Sequence, residues 1–196
     1  MIDNPYWDEV SSWVQVDTLR GGEFVPRNLI EGFELRKELT AKYAWTITAP
    51  ETVEFVVAHA AGQVVDPMAG TGYWGYLLQQ YGIPAFCYDI DPGGNSWHKG
   101  AECFMQVDRM DGAEAANKHP DCTLILSWPP HDTPDGYNVL SAFDGRRVIY
   151  IGEGPGGCTG DDKLHNALES DWVEVATHWP LQWYGIHDYV ALYERA

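Results

Sequence analysis

The stretch VVDPMAGTGY, Val64–Tyr73, decides the fold, because it joins a short apolar run to a glycine-rich turn and then to a helical segment. Asp66 ends the predicted strand, and Gly70 and Gly72 form the turn before the helix that is predicted from Tyr73. Glycines let the backbone pass close to a ligand, and the free N–H groups at the start of a helix point into the same space. We therefore predict that this turn binds a ligand.

A second acidic strand end follows at Tyr88–Pro92, YDIDP. Asp89 lies roughly 20 residues beyond the glycines, the spacing at which a carboxylate accepts hydrogen bonds from the ribose hydroxyls of a nucleoside cofactor. The same string resembles the start of a calcium loop, but Gly93 stands at a ligand position and Gly100 stands where the bidentate Glu belongs. The sequence therefore predicts a nucleoside site and no metal site.

Strands and helices alternate along this part of the chain. The predicted strands are 63–68, 83–90, 104–107, 122–128, 146–153, 172–179 and 189–195, and the predicted helices between them are 73–81, 112–119, 138–143 and 161–170. This alternation predicts an α/β fold with a mostly parallel seven-stranded sheet and helices on both faces. The last two strands are joined without a helix, so we expect an antiparallel pair at one edge. Ligands of such sheets bind beyond the carboxyl ends of the strands.

The N-terminal part of the chain has a different pattern. Residues 1–25 show no periodicity and are expected to be irregular, whereas residues 26–43 carry apolar side chains on one side of a predicted helix. A further helix is predicted to end near Gly62, with Thr48 as its cap and Pro50 in its first turn.

Length and composition predict one domain. The chain has 196 residues, of which 45% are hydrophobic, and it shows no internal repeat or linker. We expect a single domain, 1–196, in which 1–47 form an irregular and helical extension and 48–196 form a Rossmann-like core. The nine tryptophans exceed what core filling usually requires, so some are expected to line a pocket and the others to fill the core.

The charge balance restricts the partners. Twelve basic against 29 acidic residues give a net charge of −17, which repels the phosphates of DNA and RNA. A small neutral or cationic molecule, or a basic protein, suits this field better, and a homodimer is compatible with it. The four cysteines form no CxxC pair, the N-terminus does not resemble a signal peptide, and no apolar run is long enough for a membrane span. We therefore expect a cytoplasmic protein.

Four strings together resemble class I S-adenosylmethionine-dependent methyltransferases: DPMAGTG, YDIDP, QVDRMDG and LILSWPP. More closely, the chain is similar to a largely uncharacterised family of methyltransferase-like proteins from microbes and phages. The strings that carry this likeness are KYAWTIT, AGTGYWGYLL, GGNSWH, LSWPP, YIGEGPGGCTGDD and QWYGIHD, which span about residues 42–195. The resemblance implies the Rossmann-like class I methyltransferase fold.

The resemblance also implies S-adenosyl-L-methionine as the cofactor and assigns roles to acidic and glycine residues. Asp66, Gly70 and Gly72 would hold the methionine part, and Asp89 would bind the ribose. The adenine would face Asp108 at the end of the third strand, with Asp111 as the competing choice. The predicted cofactor-binding set is completed by Pro67, Ala69, Ile90 and Ser127.

The strand end Ser127–His131, SWPPH, departs from the enzymes that methylate amino groups, which carry Asp or Asn before the prolines. That Asp or Asn accepts a hydrogen bond from the target amino group, whereas Trp128 has only an indole N–H donor. Amino methylation of DNA or RNA is therefore disfavoured, in agreement with the net charge of −17. This strand end instead predicts an aromatic, apolar wall beside His131, which suits methyl transfer from a sulfonium.

The candidates for removing a proton from the methyl acceptor are Glu153, His131 and His98, and the expected base is Glu153 or His131, with Trp128 beside the reacting groups. Each also has a structural interpretation, since Glu153 suits bonds to loop amides and His131 suits a turn cap. The predicted substrate pocket consists of Trp45, Trp97, His98, Pro129 and Pro130, with Trp183 as a further covering residue.

A second glycine-rich string, Gly152–Gly157, fits the pattern G-x-G-x-x-G. A dinucleotide there would meet the like charges of Glu153, Asp161 and Asp162, so we expect this loop to shape a substrate pocket instead. The sequence thus predicts a methyltransferase for a small molecule. The alternative is a catalytically inactive methyltransferase-like binding or regulatory protein, which could be encoded by a phage.

Overall fold

The computed structural model describes residues 2–13, 23–24, 29–95, 97–98 and 100–196. The helices are α1 (Pro5–Ser11), α2 (Leu29–Lys42), α3 (Pro50–His59), α4 (Tyr73–Gln80), α5 (Gly112–Lys118), α6 (Asp135–Ala142) and α7 (Asp162–Asp171). The strands are β1 (Glu23–Phe24), β2 (Val64–Asp66), β3 (Ala85–Asp89), β4 (Asp108–Arg109), β5 (Thr123–Ser127), β6 (Arg147–Gly152), β7 (Trp172–His178), β8 (Gln182–Trp183) and β9 (Tyr189–Arg195). Within the described residues no helix combines the length and the apolar character that a membrane crossing needs.

Seven strands form one sheet in the order β4-β3-β2-β5-β6-β9-β7, which confirms the predicted architecture. Strands β2 to β6 pair in parallel, and β9 pairs antiparallel with both β6 and β7 at one edge of the sheet. Because β2, β3 and β5 are parallel neighbours, their carboxyl ends meet at one edge, where the loops carrying the predicted site residues begin. The two short strands β1 and β8 form a separate parallel pair.

Both faces of the sheet are covered by helices, as predicted. Ile125 of β5 and Ile149 of β6 belong to a core shared with α1 to α4, whereas Leu124 and Tyr150 belong to a core shared with α5 to α7. Successive side chains of a strand point to opposite faces, so these strands must be apolar at nearly every position. The continuous burial of β5 and β6 shows this double covering.

The third strand of the parallel sheet differs from the prediction. Residues 104–107 were expected to form it, but the strand is Asp108–Arg109, which pairs with the end of β3. The apolar residues before it cover the glycine turn instead: the Phe104 N–H donates to Thr71 O over 2.9 Å, and its ring packs edge-on against Tyr73. Residues 104–107 therefore do not pair as a strand, and Phe104 packs on the glycine turn.

The N-terminal prediction was wrong for α1, which forms within the segment expected to be irregular. Asn4 accepts a hydrogen bond from the Trp7 N–H at the start of this helix, and Pro5 occupies its first turn. Part of the helix predicted over 26–43 forms as α2, and residues 26–28 lie outside the described residues.

The start of α3 also differs from the prediction, because Ala49 and not Thr48 is its cap residue and no side chain caps it. The buried Thr48 hydroxyl donates to Asn4 Oδ1 over 3.1 Å instead. The Thr48 hydroxyl therefore bonds to Asn4, which is distant in sequence, and does not cap α3 as the local sequence pattern predicts.

Candidate functional site

A cavity of about 880 Å³ lies at the carboxyl ends of β2, β3 and β5. It has the size of a small-molecule or cofactor pocket. The predicted site residues that line it are Asp66, Pro67, Ala69, Gly70, Asp89, Ile90, Trp45, Trp97, His98, Ser127, Trp128, Pro129, Pro130 and His131. The structure therefore brings most of the predicted residues to one place.

The glycine turn and Asp89 are joined directly. The Gly70 N–H donates to Asp89 Oδ2 over 2.9 Å, and the Asp91 N–H donates to Asp89 Oδ1 over 2.9 Å. The side chain is buried, with 6% of Asp89 exposed, and it lines the cavity. Each carboxylate oxygen has two lone pairs, so one on each oxygen remains for a ligand after these bonds.

Gly70 adopts φ +57°, a left-handed conformation that glycine reaches without strain. A Cβ atom at this position would lie 2.6 Å from His98 Nε2, so the turn and the imidazole are in close contact. His98 Nδ1 lies 2.9 Å from Ala41 O. Because a carbonyl oxygen only accepts, Nδ1 carries the proton of the neutral ring and Nε2 has the free lone pair beside the turn.

Asp66 lies at the end of β2 and is 2% exposed. Burial raises the pKa of its carboxyl to about 7, and the nearby charge of Asp89 adds to this, while a weak bond from the Met68 N–H opposes it. Near neutral pH this carboxyl therefore exists both protonated and ionised. It can donate one hydrogen bond in the first state and only accept in the second.

Two of the predicted cofactor residues lie outside the cavity lining. Gly72 has φ +74° and precedes α4, and a Cβ there would meet Met105 and Val107, so its role in the structure is to form the covered turn. Asp108 is exposed and accepts a hydrogen bond from Gln106.

The competing choice for the adenine, Asp111, does line the cavity. Its Oδ1 accepts from the N–H groups of Ala113 and Glu114 over 3.0 and 3.1 Å and so caps α5. The cap fixes this carboxylate at the mouth of the cavity while leaving its second oxygen for other partners.

Glu153 does not line the cavity, and both of its carboxylate oxygens bond to loop backbone. Oε2 accepts from the Cys158 N–H and Oε1 from the His187 N–H, each over 2.7 Å, and the residue is 5% exposed. This geometry contradicts the expectation that Glu153 stands beside the acceptor as a base. Its carboxylate joins the loop after β6 to the loop before β9.

The loop after β6, which includes the second glycine-rich string, supports the strand end that carries Trp128. The Gly160 N–H donates to Pro129 O over 2.9 Å, and the Asp132 N–H donates to Gly160 O over 3.2 Å. Cys158 is the residue of this loop that lines the cavity. The residues directly after the string, Cys158 and Gly160, thus shape the pocket wall.

Three tryptophans form an aromatic cluster on the cavity wall. The rings of Trp45 and Trp128 stack with centroids 4.9 Å apart, and Trp97 meets Trp45 edge-on at 5.6 Å. Trp183, the other predicted covering residue, is buried in the core, where its Nε1 donates to the Tyr6 hydroxyl over 3.0 Å. The cluster consists of Trp45, Trp97 and Trp128, and we call it the tryptophan wall.

A hydrogen-bond relay behind this wall was not predicted. Trp128 Nε1 donates to Thr46 Oγ1 over 2.8 Å, and Thr46 Oγ1 donates to Asp188 Oδ2 over 2.5 Å. Asp188 is 2% exposed, its Oδ1 has no hydrogen-bond partner among the described residues, and burial is the main cause that raises its pKa to about 7. Thr46 and Asp188 are 142 positions apart, so no local sequence pattern could have indicated the pair.

Trp74 is a further lining residue that sequence reasoning missed. It lies in the first turn of α4, is 3% exposed, and its Nε1 has no hydrogen-bond partner among the described residues. A buried donor without a partner is unusual in a folded protein. The sequence feature that could have indicated Trp74 as a lining residue is its position directly after the glycine turn.

His131 lines the cavity and its side chain is half exposed. Its Nδ1 lies 3.1 Å from Asp132 Oδ2, which leaves Nε2 for another partner. In the part of the chain that the structure describes, no group of His, Cys, Asp and Glu side chains could hold a metal ion.

No protein-family model matches the chain, and no curated protein sequence matches it significantly. Solved structures do share its fold. The magnesium protoporphyrin IX methyltransferase of Synechocystis PCC 6803, crystallised with bound SAM, superposes with a TM-score of 0.54 at 14% identity, over 100% of this chain and 99% of that one.

Two further structures are similar. The 1,6-didemethyltoxoflavin-N1-methyltransferase of Burkholderia thailandensis, with bound 1,6-didemethyltoxoflavin and S-adenosylhomocysteine, gives a TM-score of 0.53 at 16% identity, over 98% of this chain and 87% of that one. A TehB-like SAM-dependent methyltransferase from Corynebacterium glutamicum gives 0.52 at 19% identity, over 86% of this chain and 100% of that one. The chain therefore has the Rossmann-like class I methyltransferase fold.

Proposed function

We propose that the protein binds S-adenosyl-L-methionine and transfers the methyl group to a small molecule. The observation that carries this proposal is the 2.9 Å bond between the Gly70 N–H and Asp89, at the ends of two parallel neighbouring strands on the cavity floor. A nucleoside in such a fold binds with its ribose at the acidic strand end and its chain along the glycine turn. Two of the three structural neighbours described above were crystallised with this cofactor or with its demethylated product.

The residues present suit that cofactor. Asp89 keeps acceptor capacity for the two ribose hydroxyls, and Asp111, which lines the same cavity, would face the adenine. Gly70 has no side chain, so its turn lies directly against the His98 ring, where any Cβ would clash. The buried N–H of Trp74, which has no partner among the residues that the structure describes, would donate to the carboxylate of the methionine part, and the carboxyl of Asp66 would accept from its ammonium.

The bound cofactor would supply a methyl group on a sulfonium, and this chain would supply the position of the acceptor. The tryptophan wall excludes water from one side of the cavity and presents flat apolar surfaces. Methyl transfer requires in-line placement above all, and such a wall would help to position the acceptor. With Glu153 bonded to loop amides, the predicted bases that remain on the lining are His131 and His98.

Calorimetry with S-adenosylmethionine and S-adenosylhomocysteine tests the binding half of the proposal. Asp89→Asn replaces the carboxylate that would accept hydrogen bonds from the ribose hydroxyls. It should weaken the binding of both nucleosides by about 10- to 100-fold, since hydrogen bonds to a charged group contribute about 1.5–3 kcal/mol. Asp91→Asn is the matched control, because Asp91 is on the same loop but pairs with Arg109 outside the cavity. Equal affinities for the two variants and the wild type would rule out this site.

A binding protein without catalytic activity is the second candidate, and one observation favours it. The Nε1 donor of Trp128, which stands where amino-methylating enzymes carry Asp or Asn, is already bonded to Thr46. Trp128 therefore offers no hydrogen bond to an acceptor. Incubation of the protein with S-adenosylmethionine and a metabolite extract separates the two candidates: formation of S-adenosylhomocysteine supports the enzyme, and cofactor binding without turnover supports the binding protein.

A further inference from the structure

We infer that the methyl acceptor is an aliphatic amine nitrogen in its neutral form, which becomes a cation when it is methylated. The lone pair of such a nitrogen is localised, so it does not require the Asp or Asn that assists the conjugated amino groups of nucleobases. This inference rests on the proposed function, because it specifies the substrate class of the same cavity. Two observations carry it: the sign of the charges on the cavity lining and the composition of its wall.

The described lining is strongly acidic. Its carboxyl side chains are Asp66, Asp89 and Asp111, which the proposed function assigns to the cofactor, and Asp135, which has no role there; its arginine is Arg36. The Arg36 guanidinium donates to Tyr184 O over 3.2 Å and stacks on the Phe33 ring, so it is held by protein groups. An anionic acceptor, such as a carboxylate or a phenolate, would meet several like charges and little positive charge to offset them.

The tryptophan wall adds an attraction for positive charge. Indole faces are electron-rich, and a cation within about 6 Å of a ring centroid is attracted to them. Trp97 is 54% exposed and meets Trp45 edge-on, so ring surface in this cluster is accessible from the cavity. Aromatic rings combined with nearby carboxylates are the surroundings in which proteins bind ammonium groups.

The charge movement of the reaction matches this distribution. The nitrogen lone pair forms the new N–C bond, and the electrons of the broken C–S bond return to sulfur, which becomes a neutral thioether. The positive charge thus leaves the cofactor and arrives on nitrogen. Carboxylates and indole faces near the nitrogen stabilise this transfer of charge. For a primary or secondary amine the excess proton then leaves the ammonium, and His131 is placed to accept it on Nε2.

Three probes of equal shape test the inference: choline, 3,3-dimethylbutan-1-ol and 3,3-dimethylbutanoate, which are positive, neutral and negative. Their affinities are measured by NMR titration in the presence of saturating S-adenosylhomocysteine. We expect choline to bind about tenfold more tightly than the neutral alcohol, and the carboxylate to bind most weakly. Similar affinities for all three, or no binding of choline, would overturn the inference.

Two variants locate the effect. Trp97→Leu keeps an apolar side chain but removes the ring, and because Trp97 is 54% exposed this change should not unfold the protein. It should reduce the preference for choline over the alcohol severalfold. Trp179→Leu is the matched control, since Trp179 is 68% exposed and lies outside the cavity, and it should keep the full preference. Equal loss in both variants would contradict a role of the tryptophan wall.

The same samples separate this inference from the proposed function. If S-adenosylhomocysteine does not bind, the proposed function is wrong, and the probe series on the free protein still measures the preference of the cavity. If S-adenosylhomocysteine binds and choline has no advantage, the proposed function stands and the inferred acceptor class is wrong.

Discussion

Trp128 is held in a rare backbone conformation by bonds on both of its N–H groups. Its φ of +48° lies in the left-handed region, which a bulky residue seldom adopts. The backbone N–H donates to Ile151 O over 2.8 Å, and the indole N–H donates to Thr46. Thr46 donates in turn to Asp188, so a residue near the C-terminus orients a ring on the cavity wall. Strain that is stabilised in this way is common at functional sites.

We expect Thr46→Val to release the Trp128 ring. The change leaves the Trp128 Nε1 and the Asp188 Oδ2 without a partner, which should lower the free energy of unfolding by about 2–4 kcal/mol. It should also shift the Trp128 indole N–H resonance, identified by its loss in Trp128→Phe, and weaken choline binding. Thr177→Val, at an exposed position of β7, is the control. An unchanged indole resonance in Thr46→Val would contradict the relay.

Gly70→Ala should abolish nucleoside binding. The left-handed φ makes alanine unfavourable by about 1–2 kcal/mol, and its Cβ would enter the space between the turn and His98. Gly62→Ala separates the two effects, because Gly62 has φ +79° but a Cβ added there would meet no atom within 4 Å. Denaturant unfolding should show the larger loss for Gly70→Ala, because the His98 ring must also move away from Ala41 O, and calorimetry with S-adenosylhomocysteine should show lost binding in Gly70→Ala alone. Retained binding in Gly70→Ala would exclude the turn as the cofactor cradle.

A buried polar residue directly before helix α1, Asn4, helps to join this helix to the core. Asn4 is 6% exposed; its Nδ2 donates to Thr48 O over 2.7 Å, and its Oδ1 accepts from the Tyr73 hydroxyl over 2.8 Å. The aromatic rings beside it continue the contact, with Tyr6 stacked on Tyr43 at 5.1 Å. Because Tyr73 begins α4 directly after the glycine turn, this contact places α1 behind the cavity.

Asn4→Ala should therefore destabilise the whole protein by about 2–4 kcal/mol, since it removes a helix cap and leaves buried polar groups without partners. The free energy of unfolding from urea titration is the measurement. Ser12→Ala removes a hydroxyl that donates to Glu9 O at an exposed position on the same segment and should change this free energy by less than about 0.5 kcal/mol. If the two variants were equally stable, α1 would not be part of the cooperative fold.

The elements that the sequence predicts well are strands that are buried over nearly their whole length. Strand β9 forms over the predicted residues 189–195, and β5 and β6 lie within their predicted ranges, because strands buried on both faces must be apolar throughout. Strand β4 could not be found in this way, because it has two residues, both exposed, and is defined by pairing with β3. Element prediction thus fails where long-range contacts decide the structure.

The same distinction explains the candidate site. Asp66 and Asp89 are the last residues of β2 and β3, and Gly70 follows β2. Parallel strands bring their carboxyl ends together, so the topology itself places these residues at the cavity. Glu153 also follows a strand, but its carboxylate turns to the N–H groups of Cys158 and His187. The conformation of the neighbouring loops determines which groups a carboxylate at a strand end contacts. The spacing of residues in the sequence does not predict this conformation.

At the scale of the whole molecule, the two ends of the chain close over the same core. Tyr6 accepts a hydrogen bond from Trp183, and Thr46 donates to Asp188, so segments before β2 and after β7 meet beside the sheet. The chain carries a net charge of −17, and two of its carboxyl groups, Asp66 and Asp188, are almost fully buried. Burial of these groups links the stability of the molecule to pH.

The pKa values of Asp66 and Asp188 are both raised to about 7, mainly by burial. In the unfolded chain these carboxyls titrate near pH 4. Between about pH 4 and 7 the folded protein therefore binds more protons than the unfolded chain. A state that binds more protons is favoured at low pH, so the free energy of unfolding should fall as pH rises through this window and level off above it, by up to about 4 kcal/mol for each carboxyl.

Urea unfolding at a series of pH values between 4.5 and 8 measures this dependence. Asp188→Asn should flatten the curve and stabilise the protein most at pH 8, since an amide keeps an oxygen that accepts from Thr46 while removing the buried charge. Asp144→Asn, at an exposed position, should leave the slope unchanged. A free energy of unfolding that rises across the window, or equal slopes for the two variants, would show that Asp188 titrates as an ordinary carboxyl. The burial beneath the tryptophan wall would then be less complete than the structure shows.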